Sequence, residues 1–287
     1  MGKKQFPALF KSRKPPLGQH FLVSRRVREE FYHALCLQPG EWVLEIGAGT
    51  GLLTAGLLQR GARVVAVEKD SRLIPRLRQR LSPWSGQYQI LRADILDLDW
   101  PQLLKKKKIE QVVGSLPYQI TSPCLHLLMQ HGKLIKTGTF IIQNEVASKF
   151  IYQPGRGNYW SLLTAPYWQV KLGKRKISPF AFAPPPRVFS RLIILQRRKN
   201  PSWPWEKWPQ WQKFLRRAFH QPRKMLRHQF PLPWLEKSGI SLQQRAQELT
   251  PRQWKALFRL FLASSASVAE KKLLRQTLEN NLVKQEN

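Results

Sequence analysis

The chain has 287 residues, enough for one full-sized α/β domain and a smaller second one. Hydrophobic residues make up 42%, so a core is available, and no apolar run approaches the ~20 residues that span a bilayer, which argues against membrane insertion. Lys and Arg total 49 against 17 Asp and Glu, a formal charge of +32; such an excess destabilises a compact chain by self-repulsion unless its partner is a polyanion, and nucleic acid is the expected one.

Residues 1–16 read as a flexible basic arm, without the apolar stretch of a secretory signal. From residue 17 the pattern alternates β-branched runs with helical periodicity. Strands are predicted over 42–46, 63–68, 88–92, 111–114 and 139–143, with helices over 52–60, 71–81 (a serine at its N-cap) and 123–130. The four lysines 105–108 read as a solvated loop. Further strands are predicted over 167–171 and 188–196. Near Arg197 the texture turns to a Pro- and Trp-rich linker. Beyond it, Trp211, Phe214, Leu215, Ala218 and Phe219 share one helical face, and a second amphipathic helix covers 251–262. The last ~20 residues are polar and are expected to fray. The expected organisation is therefore an α/β, Rossmann-like domain with a mostly parallel sheet over 17–197 and a small helical domain over 198–287. Cys36 and Cys124 lie in apolar patterns without metal spacing and read as two reduced core thiols. The six histidines show no metal spacing either, so no metal is expected.

Five segments carry chemistry. EIGAGTG, residues 45–51, follows the first strand and precedes a helix, the context in which Gly47, Gly49 and Gly51 let backbone approach a nucleotide-type cofactor. Its spacing departs from the G-x-G-x-x-G of dinucleotide sites, which disfavours NAD. Glu68 ends the second strand, where a carboxylate can accept both ribose hydroxyls; Asp94 follows the third strand and can accept an adenine amine. Ser115-Leu116-Pro117-Tyr118 follows the fourth. There, two acceptors can localise the lone pair of an exocyclic amine while Tyr118 stacks on a flipped base, such stacking being worth about 1–3 kcal/mol. Phe182, in FAFAPPPRV, sits in a proline-stiffened loop that can cover the other face of the base.

Together with LGQHFL at 17–22, QNEVASKF, FAPPPRVFS, RKMLRHQF and RAQELTPRQW, these segments resemble the small-subunit ribosomal RNA adenine N6-dimethyltransferase (KsgA-like) family, over about residues 17–262. The resemblance implies an enzyme using S-adenosylmethionine, contacted by Gln19, His20 and Leu22 with Gly47, Glu68 and Asp94. It implies a base pocket of Ser115, Leu116, Tyr118 and Phe182. It further implies two methyl transfers to each of two adjacent adenines in small-subunit ribosomal RNA, during assembly. The reduced cysteines suit a cytoplasmic protein, and nothing in the sequence demands more than a monomer. One departure stands out: the family normally has Asn where this chain has Ser115, whose hydroxyl still accepts a hydrogen bond but is shorter.

Two other readings fit parts of the pattern. One is an RNA-binding assembly or transcription factor on the same fold without catalysis; against it, the glycine turn, Glu68 and Asp94 are all intact. The other is an antibiotic-resistance methyltransferase acting on large-subunit RNA, disfavoured by LGQHFL and RKMLR. In the second domain Arg216, Arg217, Arg223, Lys224 and Arg227 form a basic cluster expected to hold RNA phosphates. The tryptophans, including Trp203, Trp205, Trp208 and Trp211, read mainly as core and linker packing.

Overall fold

The computed structural model describes residues 19–264, which divide into two compact units. The first holds the described residues up to Ile151 and Thr164–Trp205. Its centre is a seven-stranded sheet of β2 (Trp42–Ile46), β3 (Arg63–Glu68), β4 (Tyr88–Arg92), β5 (Gln111–Ser115), β6 (Thr137–Gln143), β7 (Trp168–Leu172) and β9 (Ser190–Arg197). The strands lie in the order β4-β3-β2-β5-β6-β9-β7. The pairs from β4 to β6 are parallel, and only β9 runs against its neighbours β6 and β7. The apolar runs of β2, β3 and β5 are buried almost throughout, as strands covered on both faces must be. A separate two-stranded pair joins β1 (Phe21–Leu22) to β8 (Phe182–Ala183).

The helices of this unit follow the strands in chain order. α1 (Arg25–His33) is capped by Ser24, and α2 (Leu52–Gln59) packs Leu53, Leu57 and Leu58 into the core. α3 (Ile74–Leu81) is entered through a 3₁₀ turn whose cap is Asp70, not the expected serine: Asp70 accepts from the Arg72 amide at 3.0 Å. The lysine run is also helical, not a loop. Asp99 caps α4 (Trp100–Lys107) by accepting from the Gln102 amide at 2.9 Å. Lys105–Lys107 then fill its last turn, where cations suit the helix dipole, and Lys108 ends it with φ of 53°. α5 (Thr121–Gln130) and the short α6 (Asn144–Ser148) complete the layer. Cys124 belongs to the core as expected, whereas Cys36 is exposed.

The second unit comprises Tyr152–Leu163 and the residues from Glu206 onward. The single boundary expected near 197 thus falls at 205/206, because the Trp205 ring packs at a tilt with its centre 4.5 Å from that of Tyr167 and the Ser202 amide bonds to the Pro166 carbonyl. The earlier segment, which carries most of α7 (Tyr159–Thr164), joins this unit through the Trp211 indole N–H donating to the Leu162 carbonyl at 3.1 Å. α8 (Trp208–Ala218), α9 (Leu232–Lys237) and α10 (residues 251–264) enclose an aromatic core. Phe214 lies within 5.2–5.7 Å of Phe230, Trp254, Phe258 and Phe261. Trp208 and Trp211 are buried, so their rings pack the core and do not present to RNA. No helix among the described residues is long and apolar enough to cross a membrane.

One glycine fixes how closely the central strands approach. A Cβ at Gly114 in β5 would lie 2.5 Å from the Ile46 carbonyl of β2, so Gly114→Ala must push these two strands apart. The variant is expected to lose about 1–3 kcal/mol of stability, read as a lower urea midpoint at unchanged slope.

Candidate active site

Strand order reverses between β2 and β5, and ligands of open α/β sheets bind beyond the carboxyl ends of strands at such a point. Here β2 runs into the glycine turn. Gly47 has φ of +73°, and a Cβ on it would sit 3.7 Å from the Pro117 ring; Gly49 has φ of +58° and receives the Phe21 ring at 3.0 Å from where its Cβ would be. Backbone strain disfavours other residues at both positions, and at Gly49 the Phe21 ring also leaves little room for a side chain. The Gly47 and Ala48 amides bond the Val67 carbonyl. At the end of β3, Glu68 closes the turn: one carboxylate oxygen accepts from the Gly49 amide at 2.7 Å and the other from the Asp70 amide at 2.8 Å. Burial raises the Glu68 pKa and these amides oppose the rise.

After β4, Asp94 accepts from the Lys69 ammonium at 2.6 Å and from the Leu96 amide at 3.0 Å. The hydrogen bond from Lys69 holds its carboxyl below the usual range. Ser115 is the last residue of β5 and not the start of a loop, and the Leu116 amide extends the pairing to the Ile141 carbonyl. Beyond Pro117 the chain turns, and Tyr118 bonds the Ser190 hydroxyl at 2.9 Å, its ring 5.8 Å from that of His20. Burial raises the Tyr118 pKa, so the phenol stays neutral. His20 is held by the Pro184 carbonyl at 2.7 Å, and Leu22 pairs with Phe182.

These side chains surround one cavity of about 190 Å³. Gln19, His20, Leu22, Gly47, Gly49, Glu68, Asp94, Ser115, Leu116, Tyr118 and Phe182 all line it. Gly51 does not; with φ of +76° it starts α2 and packs toward Leu77. The wall also contains residues to which the sequence reading assigned no role. Phe21 and Ser190 lay inside quoted motifs, but Lys69 carried no signal of its pairing across 25 residues with Asp94. Glu45, the first residue of EIGAGTG, is 1% exposed, and one of its oxygens has no hydrogen-bond partner among the described residues.

The second unit brings only part of the basic cluster together. Arg216 and Arg217 line an open hollow of about 480 Å³ with His220, Gln221, His228 and Gln229. The Arg217 guanidinium donates to the Gln229 carbonyl at 2.5 Å and lies 4.9 Å from the Phe230 ring centre. Arg223, Lys224 and Arg227 are exposed and do not line the hollow.

Burial pushes the Glu45 carboxyl from 4.5 up to about 8, against the pull of the Thr54 hydroxyl and with a further push from Glu68. The native state therefore holds a proton that the unfolded chain releases. The associated stability is complete below pH 4.5 and is lost as pH rises through about 8. Glu45→Gln is expected to match the wild type near pH 5 and to be more stable at pH 8.5, in urea titrations across that range. Parallel pH profiles would contradict the assignment.

Known proteins resemble this chain in sequence and in fold. The family model described as ribosomal RNA adenine dimethylase matches residues 10–263. A ribosomal RNA small subunit methyltransferase A from Verminephrobacter eiseniae is 31% identical over 85% of this chain and 87% of its own. Its counterpart from Clostridium perfringens is 33% identical over 84% and 88%. Among solved structures, the 23S rRNA methyltransferase ErmE superposes with a TM-score of 0.66 at 27% identity, over 83% of this chain and 98% of that one. A dimethyladenosine transferase from Plasmodium falciparum shares the fold with a TM-score of 0.71 at 22% identity, over 86% and 98%. The glycine turn, the carboxylates after the second and third strands of the central sheet, and the Ser115–Tyr118 corner thus sit in a chain that belongs to the ribosomal RNA adenine dimethylase family.

Proposed function

We propose that the cavity binds S-adenosylmethionine beside a flipped-out adenine of small-subunit ribosomal RNA and that the protein dimethylates the adenine N6. The observation that carries this reading is the convergence on one cavity of the glycine turn, Glu68 and the Ser115–Tyr118 corner. The chemistry of the wall fits the cofactor. Glu68 spends one interaction per oxygen on backbone amides and keeps lone pairs for two ribose hydroxyls. Asp94 is kept ionised by Lys69 as an acceptor for an adenine amine, and Gly47 leaves space that a Cβ would fill. Gln19, His20 and Leu22 close the N-terminal side.

Bound S-adenosylmethionine supplies an electrophilic methyl group on a sulfonium. The chain's task is to make the adenine amine nucleophilic. Its lone pair is delocalised into the ring, and two acceptors that hold the N–H bonds out of the ring plane localise that lone pair on nitrogen. We assign these to the Ser115 hydroxyl and the Leu116 carbonyl, which the ring of Pro117 keeps from turning. Tyr118 and Phe182 hold the base between their faces. Catalysis of this kind rests on positioning and fixed dipoles, and no strong base is required.

The relatives named as small subunit methyltransferases support small-subunit RNA over large. The finer reading is two transfers to each of two adjacent adenines on an assembly intermediate, by a monomer in the cytoplasm. The exposed Arg223, Lys224 and Arg227, with Arg216 and Arg217 at the hollow, would hold phosphates.

Methyl transfer from labelled S-adenosylmethionine to small-subunit particles lacking the modification tests the reading, with large-subunit RNA as control. Dimethyladenine is expected in the small-subunit RNA; tight cofactor and particle binding without transfer would point to an assembly factor. Tyr118→Ala should lower single-turnover rates by roughly tenfold or more through lost stacking. Because serine is short, Ser115→Asn is expected to raise that rate, and an unchanged rate would show that the hydroxyl suffices. Binding to the particle should weaken steeply with salt, with a shallower slope for Arg216→Ala/Arg217→Ala.

A further inference from the structure

Five large apolar side chains stand out as exposed among the described residues: Val23, Phe180, Val188, Phe189 and Leu232. Four of them gather where three segments meet at the rim of the cavity. The Val23 amide donates to the Ala181 carbonyl at 2.9 Å, so the backbone of Val23 meets the residue that follows Phe180. Val188 and Phe189 directly precede Ser190, which lines the cavity and bonds Tyr118. Ser190 exchanges both backbone hydrogen bonds with Ile177, at 2.8 and 3.0 Å, tying this segment to the one that carries Phe180.

The two phenylalanines are displayed by ordered backbone. Phe180 is 87% exposed although its turn is closed by the Ser178 hydroxyl accepting from its amide and by the Ala181 amide bonding the Ser178 carbonyl. Phe189 is 51% exposed while its carbonyl accepts from the Asn144 amide at 2.9 Å. Single exposed apolar residues need no explanation, but a cluster at the edge of a site does. The surrounding charge narrows the choice of partner. Lys174, Arg175, Lys176 and Arg187 are exposed on the same segments, and no acid occurs between Glu145 and Glu206. Aromatic rings set among cationic side chains are suited to unpaired nucleotides, which offer a π-face and a phosphate together.

We propose that Phe180 and Phe189 stack on the nucleotides flanking the target adenine, outside the pocket that receives the adenine itself, with Lys174, Arg175, Lys176 and Arg187 on their phosphates. The proposal rests on the RNA-methylating reading and gives that site a second task. Extruding a base breaks its stacks with both neighbours, and the rim rings replace what the neighbours lose. Lowering the energy of the splayed strand this way promotes substrate binding without touching the reacting atoms.

Steady-state methylation of particles lacking the modification tests it with Phe180→Ala/Phe189→Ala, the corresponding double Tyr variant and the double Leu variant. The Ala pair should raise the particle KM by about tenfold or more while kcat stays near wild type and calorimetric S-adenosylmethionine affinity is unchanged. Tyr should restore the KM and Leu should not, and ultraviolet crosslinking should attach ribonucleotide to the peptides carrying Phe180 and Phe189. An unchanged KM in the Ala pair, rescue by Leu as complete as by Tyr, or crosslinks to a particle protein in place of RNA would overturn the proposal. A wild-type protein that transfers no methyl at all would instead overturn the functional reading, and the crosslinks would still report on the rim.

Discussion

Much of the first unit is organised around the carboxylate of Glu68. Its two oxygens take the amides of Gly49 and Asp70, so one side chain joins the turn after β2 to the exit of β3. Those bonds are buried and charge-assisted, a type roughly twice as strong as neutral ones, and they fasten the glycine turn to the end of β3. Through Asp70 the same clasp reaches the cap of the segment leading into α3. Glu45 lies one strand position away from the turn, with no partner for one oxygen among the described residues, and its burial explains why its proton is so strongly held.

A second constraint closes the cavity from outside the main sheet. β1 and β8 are only two residues each, yet their pairing brings the stretch from Gln19 to Leu22 against the proline-rich loop. Ala181 accepts from both the Val23 and Ser24 amides, and His20 is pinned to Pro184. The stretch from Gln19 to Leu22 and the loop that carries Phe182, which line the cavity together, are thus tied by backbone bonds. That tie also fixes the rim on which Phe180 and Phe189 are displayed, so pocket and rim share one support.

The second unit follows a different logic. Its core centres on a cluster of aromatic rings around Phe214, lined by leucines such as Leu215, Leu226, Leu235 and Leu257, and lysines and arginines outnumber acids on its surface. Tryptophans that could have served RNA stacking are consumed by packing, while charged side chains are left for the solvent side. Arg217 shows how such a cation can be oriented without a carboxylate, by a carbonyl and an aromatic face.

Local sequence determined the alternating elements, the glycine turn and the carboxylates at the ends of β3 and β4, because each depends on short-range periodicity or on one residue's backbone freedom. The motif set also contained much of the cavity wall, and with it the family; Leu52, Val67, Lys69, Ile95 and Ile141 line the wall from outside the motifs. Where the reading erred, a competing local partner decided: Asp70 outbid Ser71 as a cap because its carboxylate also meets Arg72, and Asp99 together with the helix dipole turned a lysine run into a helix end. Gly51 shares the glycine motif but points into packing, a distinction that spacing does not encode. Only tertiary structure decided that Lys69 meets Asp94, that Tyr118 is held by Ser190, and that residues 152–163 belong with the second unit. Those contacts join positions 25 or more residues apart, and their energies depend on burial and distance, which no linear pattern carries.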